Sequence, residues 1–250
     1  MAELGRIDLI KHDKENDAGK NSEAKPKHLP VSESDRKKAK LIAIVAAAVI
    51  VLFVASFISF KLLNKPEVIQ TDNGIITIYN KNYYTYNGFE FRYSDKLWVT
   101  QIYEPGKKNL YTVPLHFGPK DLLDVQVDKQ MISFLDEMRL FRGPDNRSAV
   151  FVTYDPEVNS SFVTLSYYEL SQNLRDTLQI KTLPTLTKES DAVENETVKI
   201  CNGKEPVIYL RYLNPAYVYY TKNCLVIQGE ESEMIKAVDR ALLQFYGIMT

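Results

Sequence analysis

The run from Leu41 to Phe60 contains twenty uncharged residues, and it limits what this chain can fold into more than any other feature. Thirteen of them are Leu, Ile, Val or Phe, five are Ala, and only Ser56 and Ser59 are polar. As a helix the run is about 30 Å long, which is the thickness of the hydrocarbon core of a bilayer. The thirteen large side chains favour insertion by about 4 to 8 kcal/mol in total. We therefore predict a transmembrane helix over residues 41–63.

Two other kinds of segment contain an apolar helix, and both remain alternatives. A signal peptide has an apolar stretch of about 7 to 15 residues near the N-terminus, followed by a small-residue cleavage site. Here the run is longer, follows a polar tail over residues 1–40, and ends in FISFKLLNK. A buried helix of a soluble domain does not need apolar residues on every side. A retained anchor is the interpretation that fits best.

The basic residues on the two sides of the helix predict its orientation. Six Lys and Arg residues lie within positions 21–40, against three within positions 61–83. Basic residues beside a membrane helix are retained on the cytoplasmic side. We therefore expect a single-pass protein of the cell membrane, with a cytoplasmic N-terminus and an extracellular C-terminal domain, whose residues 41–63 contact the lipid bilayer.

The tail and the exterior part differ in composition. Residues 1–40 contain no aromatic residue and few large apolar ones, so they are predicted to be a disordered cytoplasmic tail. Residues 64–250 contain 20 basic and 24 acidic residues, a net charge of −4. A nucleic-acid-binding surface needs a basic stripe that neutralises phosphates. The composition therefore argues against a nucleic-acid partner.

Alternating apolar residues predict strands in the first part of the exterior segment, residues 66–180. Asn87 and Gly88 separate two such runs in YYTYNGFEFRY, and this pair tolerates the positive φ angles of a tight hairpin. LWVTQIY and LYTVPLHF continue the pattern, which predicts an antiparallel meander. SAVFVTYDP then predicts a central strand. An amphipathic helix is predicted from the spacing of Val163, Tyr167, Leu170, Leu174 and Leu178.

A polar stretch over residues 181–197 is predicted to be a linker to a second lobe, residues 198–250. That lobe contains strand signals near 206–213, 216–221 and 224–228, and a helix that starts near Glu231. The fold class predicted for the exterior is α+β, with antiparallel sheets and covering helices.

Cys201 and Cys224 are the only cysteines. In an oxidising compartment an even number of cysteines favours a disulfide, and the alternative is two buried thiols. Two cysteines do not complete a zinc site without histidines, and the exterior segment contains only His116. No metal ion or cofactor is expected.

The sequence contains no recognised catalytic motif. A Ser-His-Asp or Cys-His arrangement would have to use His116, and neither G-x-S-x-G nor H-E-x-x-H occurs. A pair of carboxylates stays open because only the fold brings such a pair together. We therefore assign no catalytic residue and expect a protein that is not an enzyme.

Two features favour binding. Asn146, Asn159 and Asn195 lie in N-x-S/T sequences and are candidate glycosylation sites, although such triplets also occur by chance. In AYVYYTKN, Tyr217 and Tyr219 fall on one strand face. An exposed tyrosine pair anchors a protein or stacks on a sugar, whereas a buried pair only packs the sheet. We predict Tyr217 and Tyr219 as binding residues.

The segment NCLVIQGEESEMIKAVDRALLQFYGI, together with GFEFRY, VFVTYDP and VKIC, resembles uncharacterised archaeal envelope proteins that have one N-terminal membrane-anchoring helix. The resemblance covers residues 70–248 in outline, implies an archaeal cell-envelope setting, and transfers no active-site residue. The function predicted is a non-catalytic binding or scaffolding module of the envelope with a protein or glycan partner. An anchored extracytoplasmic hydrolase and an accessory subunit of a membrane complex are the alternatives.

Overall fold

The computed structural model describes residues 33–63, 65–72, 74–103, 109–189 and 197–250. The chain divides into two compact units at the boundary between Phe60 and Lys61. Residues 1–32 of the predicted disordered tail lie outside the described residues. Its last part, residues 33–40, was wrongly assigned, because helix α1 (Glu33–Leu63) already includes it. The exposed i,i+4 ion pair between Glu33 and Lys37, 3.4 Å, is compatible with this N-terminal extension.

Helix α1 is long and apolar enough to cross a membrane. The candidate span is Arg36–Leu62, with a mean hydropathy of 3.1, and none of its most apolar window is buried within the protein. A core helix of a soluble domain would bury one face against its neighbours. Among the described residues, α1 is the one helix with these properties.

The first sheet is an antiparallel meander of six strands in chain order. Its strands are β1 (Glu67–Thr71), β2 (Gly74–Asn80), β3 (Tyr83–Tyr86), β4 (Phe89–Ser94), β5 (Leu97–Tyr103) and β6 (Leu110–Leu115). The predicted hairpin at Asn87 and Gly88 is confirmed, with φ angles of 48° and 85°. One face of the sheet is buried and the other is exposed, because side chains alternate along each strand.

The second sheet also has six strands, in the order β7-β11-β12-β10-β8-β9. They are β7 (Gln126–Val127), β8 (Ala149–Tyr154), β9 (Lys181–Leu186), β10 (Val207–Tyr212), β11 (Tyr217–Thr221) and β12 (Cys224–Gly229). Only β11 and β12 pair antiparallel; the other four pairings are parallel. The α+β class is confirmed, but the expectation of antiparallel sheets holds for the first sheet alone.

Three helices pack on one face of the second sheet: α2 (Met131–Leu140), α3 (Ser161–Leu178) and α4 (Ser232–Phe245). A 3-10 turn, Pro119–Asp121, follows β6. The core combines apolar side chains of these helices with the buried faces of both sheets, including Phe91, Leu115, Leu170, Ile208 and Leu242. The apolar residues of α4, including Met234, Val238 and Leu242, are buried, and so are three polar residues of the same helix, Asp239, Arg240 and Gln244.

The predicted linker over residues 181–197 and the division into two lobes are wrong for the described residues. Lys181–Leu186 forms strand β9, which pairs in parallel with β8. Strands from both sides of the supposed linker lie in one sheet, since β8 pairs with β10. Pro184 suggested a loop, but an edge strand tolerates proline. Residues 190–196 lie outside the described residues.

Candidate functional site

The second sheet has one face that carries no helix among the described residues. The side chains of α2, α3 and α4 join the core through the other face, which includes Val152, Ile208 and Val218. Strand alternation therefore places Tyr209, Arg211, Tyr217, Tyr219 and Gln228 together on the helix-free side. We call these five residues the open face.

The register of the strands sets the geometry of the open face. Tyr217 lies opposite Gln228, and Tyr219 lies opposite Val226. On the next strand Gln228 and Val226 are the partners of Arg211 and Tyr209. Two rows of side chains therefore run across β11, β12 and β10. Tyr217, Gln228 and Arg211 form one row. Tyr219, Val226 and Tyr209 form the other, which has an aromatic ring at each end.

The two tyrosines predicted as binding residues lie side by side on this face. Their ring centroids are 5.3 Å apart and their planes differ by 27°, which is a stacked arrangement. Arg211 Nη1 donates to the hydroxyl of Tyr219 over 3.4 Å. Both rings are half-buried, so each contributes to sheet packing and still presents surface to solvent. The structure therefore brings Tyr217 and Tyr219 together on the open face.

The amide of Gln228 beside the tyrosines is held in place. Gln228 is 7% exposed, and its amide donates to the carbonyl of Pro215 over 3.0 Å. Burial raises the pKa of Tyr209 above its ordinary value. Because the Gln228 amide is fixed before any ligand arrives, binding here would not need to order that side chain.

A disulfide lies on the same face of the second sheet, at the end where β12 begins. Cys201 and Cys224 are bonded, with Cα atoms 5.4 Å apart. Cys224, Val207 and Val226 form a small buried cluster with Phe151 and Cys201. The ammonium group of Lys199 lies 4.3 Å from the centre of the Phe151 ring. The disulfide therefore fastens the segment before β10 to this cluster, and Tyr209 and Tyr219 of the open face pack against the same cluster.

A second cluster of functional side chains lies between β6 and the helices. The backbone N–H of His116 donates to Glu169 Oε1 over 3.0 Å, and its ring Nδ1 lies 2.7 Å from Glu169 Oε2. The N–H of Phe117 donates to Asp239 Oδ2 over 2.7 Å. Two carboxyl groups, one on α3 and one on α4, thus hold the chain that leaves β6.

The carboxyl group of Asp239 differs from an exposed one in its titration. Burial, and then the charge of Glu169, raise the pKa of Asp239 well above its ordinary range. Asp239 is therefore expected to hold a proton that it shares with Glu169. The hydrogen bond that the His116 ring donates to Glu169 raises the pKa of His116, against a smaller lowering by burial.

The sequence interpretation missed the buried polar stripe to which Glu169 belongs. Ser166, Glu169, Asn173 and Thr177 are all buried, at spacings of three, four and four residues along α3. Asn173 donates to the carbonyl of Pro114 over 3.3 Å and accepts from the hydroxyl of Tyr246 over 3.1 Å. The helical period of these polar residues was the signal that could have revealed them.

The remaining candidate residues do not form a common site. Asn146 and Asn159 are exposed in loops, where a glycan could be attached, and Asn195 lies outside the described residues. Within the described ranges, no group of three His, Cys, Asp or Glu residues is arranged to hold a metal ion. Comparison with protein-family models, curated proteins and solved structures finds no match.

Proposed function

We propose that this protein is a membrane-anchored binding module of the cell envelope, which recruits an envelope protein through its open face. The observation that carries the proposal is the stacked pair Tyr217 and Tyr219 on a sheet face that no described helix covers. Tyr and Arg are enriched in the residues that dominate protein–protein binding energy. Arg211 stands beside the pair and completes such a set.

Three observations support an exterior location for this domain. Helix α1 is a candidate span with no buried window. The excess of basic residues lies before the helix. The disulfide between Cys201 and Cys224 is typical of an oxidising compartment. The orientation that follows is a cytoplasmic N-terminus and an extracellular domain, and the resemblance to archaeal envelope proteins fits this setting.

The burial and the hydrogen bonds of the acid–base residues favour binding over hydrolysis. The cluster of His116, Glu169 and Asp239 has the residue types of a hydrolytic site. Its carboxyl groups are engaged by the backbone of residues 116 and 117, and the side chains of Glu169 and Asp239 are nearly or fully buried. Groups that hold the chain in this way are poorly placed to reach a substrate.

The test is recovery of crosslinked partners from native membranes with full-length protein. We expect the double variant Tyr217→Ala/Tyr219→Ala to lose partner recovery by at least about thirtyfold, because aromatic anchors commonly contribute more than about 2 kcal/mol at an interface. Arg211→Ala should weaken recovery of the same partner. The measurement is the amount of that partner, quantified by mass spectrometry against the unchanged protein.

Tyr168→Ala is the matched control, because Tyr168 is a tyrosine of α3 that is 69% exposed and lies away from the open face. It should leave recovery unchanged. Equal recovery from the double variant and the control would contradict the assignment of the open face. Unfolding of the double variant would show that the two rings serve packing alone, and recovery of a glycan in place of a protein would replace the partner class.

A further inference from the structure

The edges of the two sheets differ in how they are protected against pairing with another strand. An exposed sheet edge presents unpaired backbone groups, and proteins guard such edges with proline, lysine, very short strands or covering elements. Among the described residues, three of the four edges are guarded in this way. β6 contains Pro114 and packs against α3, β9 contains Pro184, and β7 has only two residues.

Within its own five residues the fourth edge, β1, has neither of the protective residue types, although Lys65 and Pro66 directly precede it. Its sequence EVIQT contains neither proline nor lysine, and its register with β2 runs without a bulge. Val68 is 63% exposed and Ile69 is 38% exposed. β1 ends the first sheet, so no described strand pairs with its outer side.

The hairpin geometry identifies which backbone groups of β1 face outward. Thr71 and Gly74 are partners separated by only two residues, so they form the hydrogen-bonded pair that closes a two-residue hairpin. Alternation along the strand then directs the backbone groups of Ile69 to β2 and those of Val68 and Gln70 to the open edge.

We propose that β1 pairs antiparallel with β1 of a second copy of this chain, about a two-fold axis at Ile69, so that two first sheets join into one. In this register Val68 of one copy exchanges hydrogen bonds with Gln70 of the other. Ile69 faces its own counterpart in a non-bonded pair. The exposed faces of the two sheets lie on the same side, because opposite residues in an antiparallel pair point the same way.

One further feature favours a second copy as the occupant. β1 starts four residues after Leu63, the end of α1, which allows a separation of at most about 14 Å. Two chains anchored in one membrane would therefore both keep this strand within that distance of the end of the membrane helix. This argument rests on the proposed membrane anchoring.

The test is disulfide crosslinking of full-length Ile69→Cys in native membranes. Non-bonded antiparallel partners have Cα atoms about 4.5 Å apart, which is within the range that a disulfide spans. Mild oxidation should convert most of the protein to a dimer that reducing agent separates. Tyr168→Cys, an exposed cysteine on α3, is the control and should remain monomeric.

A second variant distinguishes specific pairing from collision. The N–H of Val68 faces the open edge, so Val68→Pro leaves the β1–β2 pairing intact and removes a hydrogen bond of the dimer from each copy. In the Ile69→Cys background it should reduce crosslinking by about tenfold. Equal crosslinking of Ile69→Cys and Tyr168→Cys, or no effect of Val68→Pro, would overturn the proposal.

The same experiment separates this inference from the proposed function. If Ile69→Cys stays monomeric while the protein remains in the membrane fraction and Tyr217 and Tyr219 still support partner recovery, only the β1 pairing is refuted. A crosslinked product whose mass is not twice that of the chain would show that the edge takes a different protein, which also refutes the second copy. Loss of the protein from the membrane fraction would instead contradict the anchoring.

Discussion

The double variant Cys201→Ala/Cys224→Ala should lose about 3 kcal/mol of unfolding free energy relative to the unchanged domain of residues 66–250. The disulfide joins residues separated by 23 positions, and the chain-entropy account of a loop of this length gives that value. Cys224 is fully buried in the small cluster with Val207 and Val226, so alanine also removes some packing. Urea unfolding at one pH measures the difference.

Reduction of the unchanged domain is the control for lost packing, because it breaks the bond and keeps both sulfur atoms. It should reproduce most of the fall caused by the double variant. An unreduced proteolytic digest of protein from native membranes should contain the peptides of Cys201 and Cys224 joined. Full alkylation of both thiols without reduction, or a stability change of under about 1 kcal/mol, would contradict the structural role of the bond.

We expect Asp239→Ala to lower the free energy of unfolding and Asp239→Asn to leave it unchanged. Asp239→Ala leaves the N–H of Phe117 without its acceptor in a buried position and should cost about 1 to 3 kcal/mol. Asp239→Asn keeps an acceptor for that N–H and offers Glu169 a donor, as the protonated acid does. It should therefore retain the stability of the unchanged domain. Asp136→Asn, an exposed carboxyl on α2, is the control for the loss of a charge.

The pH dependence of the same variants tests the shared proton. Because the pKa of Asp239 is raised in the folded state, the folded protein binds its proton more tightly than the unfolded chain. The stabilisation is complete below the ordinary carboxyl pKa of about 3.9 and is lost as pH rises through the raised value. His116, whose pKa is also raised, acts in the same direction above its own ordinary value of about 6.5. As pH rises above about 4, stability should therefore fall less steeply in Asp239→Asn than in the unchanged domain. An identical slope in both proteins would contradict the shared proton.

Local patterns predicted the elements whose neighbours in space are also neighbours in sequence. The hairpin at Asn87 and Gly88 follows from two residues that accept positive φ. Helices α3 and α4 follow from apolar residues at helical spacing. Pairing between adjacent strands of the first sheet needed no long-range information, although β1 and β2 themselves were not predicted.

Local patterns could not predict the second sheet, because its parallel pairings join segments that are distant in the sequence. β10 lies between β8 and β12, and a parallel pair requires a crossover whose partner the local sequence does not specify. The same limit applied to Glu169 and Asp239, which meet only because α3 and α4 pack together. Tyr217 and Tyr219 were predicted because strand alternation alone places them on one face, whereas Arg211 and Gln228 join them only through the pairing of three strands.

The orientation of the chain in the membrane tests the account most directly, because recruitment of an envelope protein through the open face requires the domain to be outside the cell. Single cysteines at Tyr168, exposed on α3, and at Ala18 in the tail can be labelled with a maleimide that does not cross membranes. We predict that Tyr168→Cys is labelled in intact cells and that Ala18→Cys is labelled only after the membrane is permeabilised. Labelling of Ala18→Cys in intact cells, with Tyr168→Cys protected until permeabilisation, would contradict the account.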